Sequence, residues 1–176
     1  GLRLLSTRNL ERYYRVDIVL RAFALINARY PQATLTIAGY GSEERRLRAI
    51  AMSLKVDGIR FVGRVEPAEM PRLYDQADIF LNASVVDNQP LSVLEAFAAG
   101  APVVSTPTGD IPSMVRDGET GLLVAPENPG AMADAVARLA QDPKHALDLA
   151  RQAHRQLERH SWSGVRDDWA AVYAGE

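Results

Sequence analysis

Residues 87–95 have the residue types and spacing of a helix start that can bind an anion. Pro90 suits the first position of a helix, because proline lacks the N–H group that would have no partner there. The next three backbone amides, those of residues 91–93, are then donors without acceptors. No acidic side chain lies in this turn before Glu95, so the positive end of the helix dipole favours an anion there.

Glu95 allows two interpretations. More than a helical turn inside, its carboxylate could reach past a bound anion to the hydroxyl groups of a sugar. The alternative is a solvated helix residue. Its neighbours Leu94, Ala96, Phe97 and Ala98 indicate a helix with little exposed surface, where an unpaired carboxylate would cost free energy. We therefore expect Glu95 to face a binding cleft.

A second glycine-rich segment, at residues 39–41, resembles part of a dinucleotide-binding loop. The third glycine of the G-x-G-x-x-G pattern is absent. The next predicted helix begins at Ser42, and Glu43 and Glu44 follow in its first turn. These carboxylates already complement the helix dipole and would repel a phosphate. We expect a structural turn here, which argues against a nicotinamide-dependent dehydrogenase.

Length and composition restrict the class of protein. The chain has 176 residues, 47 % hydrophobic and 24 % charged, which fits one globular domain. The formal net charge of -2 provides no overall basic field for nucleic acid. Cysteine is absent, which excludes disulfides and thiolate chemistry. No apolar run reaches the roughly 20 residues that span a bilayer.

Short apolar runs alternate with longer helical patterns along the chain. We predict strands at residues 3–7, 34–39, 59–63, 78–83, 102–105 and 121–124. We predict helices at residues 16–30, 42–55, 68–77, 90–99, 111–115, 129–141, 143–159 and 162–174. The strands are continuous apolar runs, which is typical of parallel strands buried on both faces. The pattern predicts an α/β fold, a doubly wound parallel six-stranded sheet of Rossmann-like type with extra C-terminal helices.

Residues 84–104, SVVDNQPLSVLEAFAAGAPVV, resemble the E-x7-E segment of glycosyltransferase family 4 (group 1), whose members have the GT-B fold of two facing Rossmann-like domains. Further segments match the family in order: LTIAGYG at 35–41, FVGRV at 61–65, LYDQAD at 73–78 and DGETGLLV at 117–124. The resemblance implies that residues 1–176 are the C-terminal, donor-binding domain. Because the sequence begins at Gly1 on a predicted strand, we expect that it was cut from a longer protein whose N-terminal acceptor domain is absent here.

The resemblance implies retaining transfer of a sugar from a nucleoside diphosphate sugar to an acceptor. The second acidic residue of the segment, here Glu95, is expected to hydrogen-bond the ribose. The backbone amides before it, here of Leu91 and Ser92, would hold the diphosphate. The positions of Arg64 and Val65 flank the nucleobase in the family.

The first acidic position, here Asp87, is expected to contact the sugar hydroxyls. An arginine of the opening loop, here Arg8, would neutralise the diphosphate as it leaves. Asp87 departs from the family glutamate and is shorter by one methylene, about 1.5 Å of reach. The usual G-F-G that follows is replaced by Asn88, Gln89 and Pro90, which we expect to line the donor in its place.

The family's second cation in the opening loop, a lysine, is missing. Residues 13–15 read Tyr-Tyr-Arg near its place, and neither lysine of the chain, Lys55 or Lys144, lies in this loop. Arg15 or Arg12 could bind the diphosphate instead as a planar, bidentate ligand. Both remain candidates, and Arg15 is the one that we place among the catalytic residues with Arg8, Asp87 and Glu95.

The histidines carry no recognisable metal spacing. His145, His154 and His160 all lie in the predicted C-terminal helices, so we expect surface residues and no metal site. Arginines and a helix N-terminus can supply the charge that a cation supplies elsewhere, and we expect no cofactor.

Trp162 and Trp169 are seven residues apart and share a face of the last predicted helix. Packing in the core is the expectation, and a platform that stacks on a sugar is the alternative. The last helix of this family often crosses to the partner domain, so the pair could also pack at that interface. Asp110, behind Gly109 at the end of a strand, is expected to point toward the cleft.

Two other functions stay open because of Asp87 and the missing lysine: a non-catalytic nucleotide-sugar-binding module, and one half of a sugar-nucleotide epimerase. A receiver-type signalling domain would need paired acids after its first strand, and they are absent. The expected partners are a UDP, GDP or ADP sugar, the N-terminal domain, and a saccharide or lipid-linked acceptor. The expected location is the cytoplasm, peripheral to the membrane in the full-length protein.

Overall fold

The computed structural model describes residues 1–157 and 162–174. In this part of the chain the strands are β1 (Arg3–Ser6), β2 (Thr34–Ala38), β3 (Ile59–Gly63), β4 (Ile79–Asn82), β5 (Val103–Ser105) and β6 (Leu122–Leu123). The α-helices are α1 (Val16–Arg29), α2 (Glu44–Ser53), α3 (Met70–Asp75), α4 (Leu91–Ala98), α5 (Ile111–Met114), α6 (Pro129–Gln141), α7 (Pro143–Gln156) and α8 (Trp162–Ala174). Short 3₁₀ turns at Arg12–Tyr14 and Pro67–Glu69 precede α1 and α3.

The strands form one parallel sheet in the order β3-β2-β1-β4-β5-β6. After β1 the chain proceeds to one edge through β2 and β3, and then returns to the other side of β1 with β4. The strand order therefore reverses between β1 and β4. In open α/β sheets a crevice for ligands opens at the carboxyl ends of such a pair of strands.

The two faces of the sheet carry separate hydrophobic cores. Neighbouring residues of one strand, such as Leu4 and Leu5 of β1 or Phe80 and Leu81 of β4, belong to opposite cores. This follows from the alternation of side chains along a strand. Helices α1 and α6 cover one face and α4 and α5 the other, so the inner strands β4 and β5 are buried on both faces. The edge strand β3 differs, because Arg60 and Val62 are exposed.

The predicted fold class is confirmed, and each strand end agrees with its prediction to within one residue. The predicted helix at residues 68–77 is different, because it divides into the 3₁₀ turn and α3. Pro67 and Pro71 are four residues apart, and Pro71 has no N–H to donate to the carbonyl of Pro67, so a continuous α-helix cannot form there. The last predicted residues of α7, 158 and 159, lie outside the described residues.

The expected core packing of the two tryptophans is wrong for this chain. Trp162 and Trp169 are both exposed on α8, and Trp169 stacks on Tyr173 with ring centroids 5.9 Å apart. The two tryptophans share a face of α8, but that face is not buried against the rest of the described chain. Among the described helices, none combines the length and the apolar character needed to cross a bilayer.

Candidate functional site

Helix α4 begins beside the crevice with two free backbone donors. Pro90 precedes the helix as its N-cap residue, with φ -68° and ψ 114°, so its predicted place inside the helix is wrong by one position. Within the described part of the chain, the amides of Leu91 and Ser92 have no hydrogen-bond acceptor, whereas the amide of Val93 donates to the carbonyl of Pro90 over 3.0 Å. The helix start offers two amides to an anion, instead of the three that the sequence predicts.

Arg8 places a buried cation at this helix start. It follows β1 and is 8 % exposed. Its Nη2 donates to Oδ2 of Asp87 over 2.7 Å, and its Nη1 donates to Oγ of Ser92 over 2.9 Å. The guanidinium carbon lies 4.1 Å from the ring centroid of Tyr14. Its Nε is buried and has no partner among the described residues.

Both carboxylate oxygens of Asp87 are occupied by protein donors. Besides Arg8, its Oδ2 lies 2.9 Å from Oγ of Ser84, and its Oδ1 accepts the amide of Asn88 over 3.0 Å. Ser84 is fully buried and contacts Asn82, whose Nδ2 donates to Oγ of Ser105 over 3.0 Å. Asp87 is thus anchored to a polar chain that begins between β4 and β5.

Glu95 lies on an exposed face of α4, which corrects the expectation of a helix with little exposed surface. Leu91, Glu95 and Ala98 are exposed and follow the i, i+4, i+7 spacing of one helix face, while Phe97 on the opposite face is buried. This exposed face borders a cavity of about 270 Å³ against α3, which is also lined by Tyr74. Glu95 therefore faces a cavity, although it lies at the surface.

A buried tyrosine holds the carboxylate of Glu95. The hydroxyl of Tyr74, a residue 2 % exposed, donates to Oε2 of Glu95 over 2.8 Å and lies 2.6 Å from Oγ1 of Thr7. Burial raises the pKa of Tyr74 far above its ordinary value, so the phenol keeps its proton as a donor. Because one hydroxyl proton serves one acceptor, Thr7 donates to Tyr74 and Tyr74 to Glu95.

Arg64 and Val65 lie at the carboxyl end of β3, beside a second cavity of about 380 Å³. The guanidinium of Arg64 lies 5.4 Å from the ring centroid of Tyr40. The connection from β3 to α3 contributes Val65 to this cavity and Pro67 to the one beside Glu95. Arg64 and Val65 therefore line one cavity and Glu95 lines another, and both cavities border the connection from β3 to α3.

The loop at residues 88–90 is joined to the loop after β5. Nε2 of Gln89 donates to Oδ2 of Asp110 over 2.9 Å, and this hydrogen bond lowers the pKa of Asp110. Gly109 has φ +56°, and a Cβ atom at this position would overlap with the carbonyl oxygen of Asp87. Asp110 thus lies against the predicted donor loop, and its orientation toward the cleft stays a prediction.

Arg15 and Arg12 are not joined to Arg8 by any contact among the described residues. Nε of Arg15 donates to Oδ1 of Asp17 over 3.1 Å, and its Nη1 contacts the carboxylate of Glu127. Arg12 is exposed and has no ion pair or hydrogen bond to its guanidinium in the described part of the chain. A role for either residue at the diphosphate stays a prediction.

No cluster of three or more His, Cys, Asp or Glu side chains that could hold a metal ion occurs among the described residues. His145 and His154 lie on α7, and Nδ1 of His154 is 3.3 Å from the carbonyl oxygen of Phe97. His160 lies outside the described residues.

Sequence reasoning missed four side chains that shape this site: Thr7, Tyr14, Tyr74 and Ser84. Tyr74 and Ser84 lie within segments that resemble the family, but nothing in their spacing indicates a contact with Glu95 or Asp87. Those pairs are 21 and 3 residues apart, and the hydrogen bonds depend on how α3, α4 and the β4 loop pack together.

Comparison with known proteins connects this geometry to a family. The model of the family "Glycosyl transferases group 1" matches residues 1–142. A D-inositol 3-phosphate glycosyltransferase of Corynebacterium urealyticum is 30 % identical over 172 residues, which cover 93 % of this chain and 41 % of that protein. A glycogen synthase of Mycobacterium tuberculosis is 33 % identical over 172 residues, covering 97 % and 42 %. The chain therefore spans about two fifths of the curated relatives that it matches.

Solved structures share the fold. HepE of Anabaena in complex with UDP superposes on all of this chain and 49 % of its own, with a TM-score of 0.91 at 20 % identity. The C-terminal domain of a group 1 glycosyl transferase of Francisella tularensis superposes with a TM-score of 0.81 at 23 % identity, covering 89 % of this chain and 84 % of that one. Since the family model covers residues 1–142 of the 176, the chain belongs to the group 1 glycosyl transferases.

Proposed function

We propose that this chain is the donor-binding domain of a retaining glycosyltransferase, which moves a sugar from a nucleoside diphosphate sugar to an acceptor in glycan or polysaccharide synthesis. The acceptor site and the remaining catalytic groups then belong to an N-terminal domain beyond these 176 residues. A cytoplasmic site of action, a saccharide or lipid-linked acceptor, and a reaction without a metal cofactor are parts of the same proposal.

The observation that carries the proposal is the convergence of two free amides and one buried guanidinium. The amides of Leu91 and Ser92 have no acceptor within the described chain, and Arg8 approaches the same helix turn with Nε unpartnered. Free amides and the helix dipole favour an anion at a helix N-terminus. A diphosphate provides oxygens that could accept from the two amides, and its negative charge would lie beside the guanidinium of Arg8.

The same groups would promote the transfer step. As the bond between the anomeric carbon and the diphosphate oxygen breaks, its electron pair passes to the diphosphate, and negative charge develops there. Arg8 and the amides of Leu91 and Ser92 are already in place for that charge, so little reorganisation is needed during the reaction. The ring of Tyr14 and the contacts to Asp87 and Ser92 hold Arg8 in place.

The other predicted residues are assigned to the rest of the donor. Glu95, held by Tyr74 beside the 270 Å³ cavity, would accept hydrogen bonds from the ribose hydroxyls. Arg64 and Val65 would flank the nucleobase in the neighbouring cavity. Asp87 would orient the sugar, together with the loop of Asn88, Gln89 and Pro90.

The relatives support this proposal at the level of donor class. HepE has been crystallised with UDP and with UDP-glucose, and the pneumococcal transferase GtfA with UDP and GlcNAc. Two curated relatives are named D-inositol 3-phosphate glycosyltransferase and glycogen synthase. UDP is therefore the nucleotide that we expect a binding screen to select.

A non-catalytic nucleotide-sugar-binding module, or half of an epimerase, is favoured by one observation. Asp87 already accepts hydrogen bonds from Arg8 and Asn88 and lies 2.9 Å from Oγ of Ser84, so it would have to exchange partners to orient a sugar. Incubation of the full-length protein with nucleotide sugars separates these functions. Acceptor-dependent glycoside formation supports the transferase, and an epimerised sugar formed without acceptor supports the epimerase.

Calorimetry on the chain tests donor binding, after a thermal-shift screen with UDP, GDP and ADP selects the nucleotide. The variant Glu95→Ala should weaken binding of that nucleotide by about 1.5 kcal/mol, as expected for the loss of hydrogen bonds to a charged group. The matched control is Glu119→Ala, which removes an exposed acid that pairs with Arg116; the affinity of this variant should equal that of the wild type. If the Glu95→Ala variant bound UDP and GDP each as tightly as the wild type does, the assignment would be contradicted.

A further inference from the structure

A cavity of about 560 Å³ lies beside the opening loop, and three arginines line it. We call it the arginine pocket; its lining residues are Arg12, Tyr13, Arg15, Arg46, Val85 and Glu127. The loop residues follow β1, Val85 follows β4 and Glu127 follows β6, so the pocket lies at the same carboxyl edge of the sheet as the donor site. The amide of Val85 donates to the carbonyl of Tyr13 over 2.9 Å and joins two of these walls.

The lining of the arginine pocket contains three cations and one acid. Arg12 has no ionic partner among the described residues. A second acid, Asp17, lies behind the lining with a side chain 10 % exposed, and it contacts Nε of Arg15 at 3.1 Å and Nη2 of Arg46 at 3.9 Å. Arg46 also pairs with Glu43 at 2.6 Å. These acids hold two of the guanidinium groups from outside the lining. Nη2 of Arg15 also donates to Oδ2 of Asp17 over 3.4 Å, so a ligand would bind Arg15 at Nη1, the nitrogen that Glu127 contacts.

Glu127 is the acid inside the lining. Its side chain is 61 % exposed and contacts Nη1 of Arg15. Its backbone has φ +55°, in the left-handed region that disfavours a residue with a Cβ atom. An exposed carboxylate on a strained backbone is more easily displaced from an arginine than a buried one, because water can solvate it after displacement.

We propose that the arginine pocket binds the phosphoryl group of a phosphomonoester, which displaces Glu127 from Arg15. At neutral pH such a group carries between one and two negative charges, and planar guanidinium groups bind its oxygens in pairs. Arg12 supplies a cation without a partner, and Arg15 and Arg46 are held in position by Asp17.

The site is separate from the proposed diphosphate site, and it does not rest on the proposed function. The guanidinium of Arg8 is bound to Asp87 and Ser92, and none of these three residues lines the arginine pocket. The proposal therefore assigns Arg12 and Arg15 to a second anion, in place of the leaving diphosphate that the family resemblance implies.

Nuclear magnetic resonance titration of the ¹⁵N-labelled chain with sn-glycerol 3-phosphate and inorganic phosphate, at constant ionic strength and pH 7, tests the site. Saturable shifts are expected for the Nε–H signals of Arg15 and Arg46. The variant Glu127→Gln should bind the phosphomonoester several-fold more tightly, because it removes the competing carboxylate. The variant Arg12→Gln should bind it several-fold more weakly. Glu119→Gln, which removes an exposed acid elsewhere, should leave the affinity unchanged.

Three results would overturn the proposal. One is unchanged or weaker phosphomonoester binding in Glu127→Gln. Another is a chain that binds inorganic phosphate but does not bind sn-glycerol 3-phosphate. The third is loss of phosphomonoester binding when the chain is saturated with UDP, since this would place both anions in one site. A chain that binds the phosphomonoester but no nucleotide would contradict the proposed function and leave the arginine pocket supported.

Discussion

At the scale of single residues, the candidate site depends on hydrogen bonds that connect a functional side chain to a buried one. Glu95 lies at the surface, where a carboxylate would ordinarily sample many rotamers. The hydroxyl of Tyr74 fixes it at 2.8 Å, and Thr7 in turn satisfies Tyr74 at 2.6 Å. The carboxylate is thereby oriented before a ligand arrives, which reduces the entropy lost on binding.

The variant Tyr74→Phe tests this orientation. It removes the donor to Glu95 and keeps the buried ring, so nucleotide affinity should fall by about 1 kcal/mol, roughly fivefold. Calorimetry with the nucleotide selected by the thermal-shift screen measures the change, and the melting temperature reports the cost of leaving Thr7 unpaired. Tyr173→Phe, on an exposed face of α8, is the control. Wild-type affinity in Tyr74→Phe would show that Glu95 needs no anchor.

At the scale of elements, the predicted donor loop is shaped by the loop after β5. Gly109 approaches the carbonyl of Asp87 so closely that no Cβ atom fits, and Gln89 pairs with Asp110 next to it. Two loops that are 21 residues apart in sequence are therefore built against one another. The conformation of residues 87–90 depends on this contact as well as on their own sequence.

The variants Gly109→Ala and Gly118→Ala form a matched pair. Both glycines have positive φ, of +56° and +73°, but a Cβ atom at Gly118 would meet nothing within 4 Å. Gly118→Ala should lose about 1 to 2 kcal/mol of stability from backbone strain alone. Gly109→Ala should lose more, because its methyl group must also move the backbone of Asp87.

Urea denaturation measures both losses, and calorimetry measures nucleotide binding. We expect weakened binding in Gly109→Ala only. Equal stability losses and equal affinities in the two variants would mean that the loops can separate without consequence for the site.

At the scale of the whole molecule, an ion pair connects the two central strands, β1 and β4, at their amino ends. The candidate site lies at the other, carboxyl, ends of the strands. Asp78 precedes β4 and accepts from both the backbone amide of Arg3, over 2.8 Å, and its Nη2, over 2.6 Å. Burial alone would raise the pKa of Asp78, but the hydrogen bonds from Arg3 outweigh burial and hold the pKa below its ordinary value of 3.8. This pair connects β1 to β4, the two strands between which the strand order reverses.

Stability should therefore depend on the ionisation of Asp78. Since its folded pKa is lowered, its contribution is fully present above pH 3.8 and is lost as the pH falls through the folded value. Asp78→Asn should be less stable than the wild type at pH 7, and the difference should shrink as the pH falls below about 3.8. Denaturation at several pH values measures it.

The control is Asp134→Asn, in which both partners of the Arg29–Asp134 pair are at least half exposed, so the loss of stability should be smaller. A difference between the wild type and Asp78→Asn that stays constant from pH 7 to pH 3 would contradict the linkage.

The sequence by itself determined the fold class, the six strands and the helix that carries the candidate site. Apolar runs of four to six residues between helical patterns leave few ways to bury both faces of every strand. The helix start at residues 90–92 was predictable too, because proline position and the absence of acidic residues are local properties.

Only the tertiary structure decided which groups meet at that helix start. Arg8 and Asp87 are 79 residues apart, and Tyr74 and Glu95 are 21 apart, so neither pair has a local signal. The exposure of Glu95, of Trp169 and of the arginine pocket also depends on which surfaces the packing leaves uncovered. Local patterns specify elements, whereas contacts between their ends are fixed by the order of the strands in the sheet.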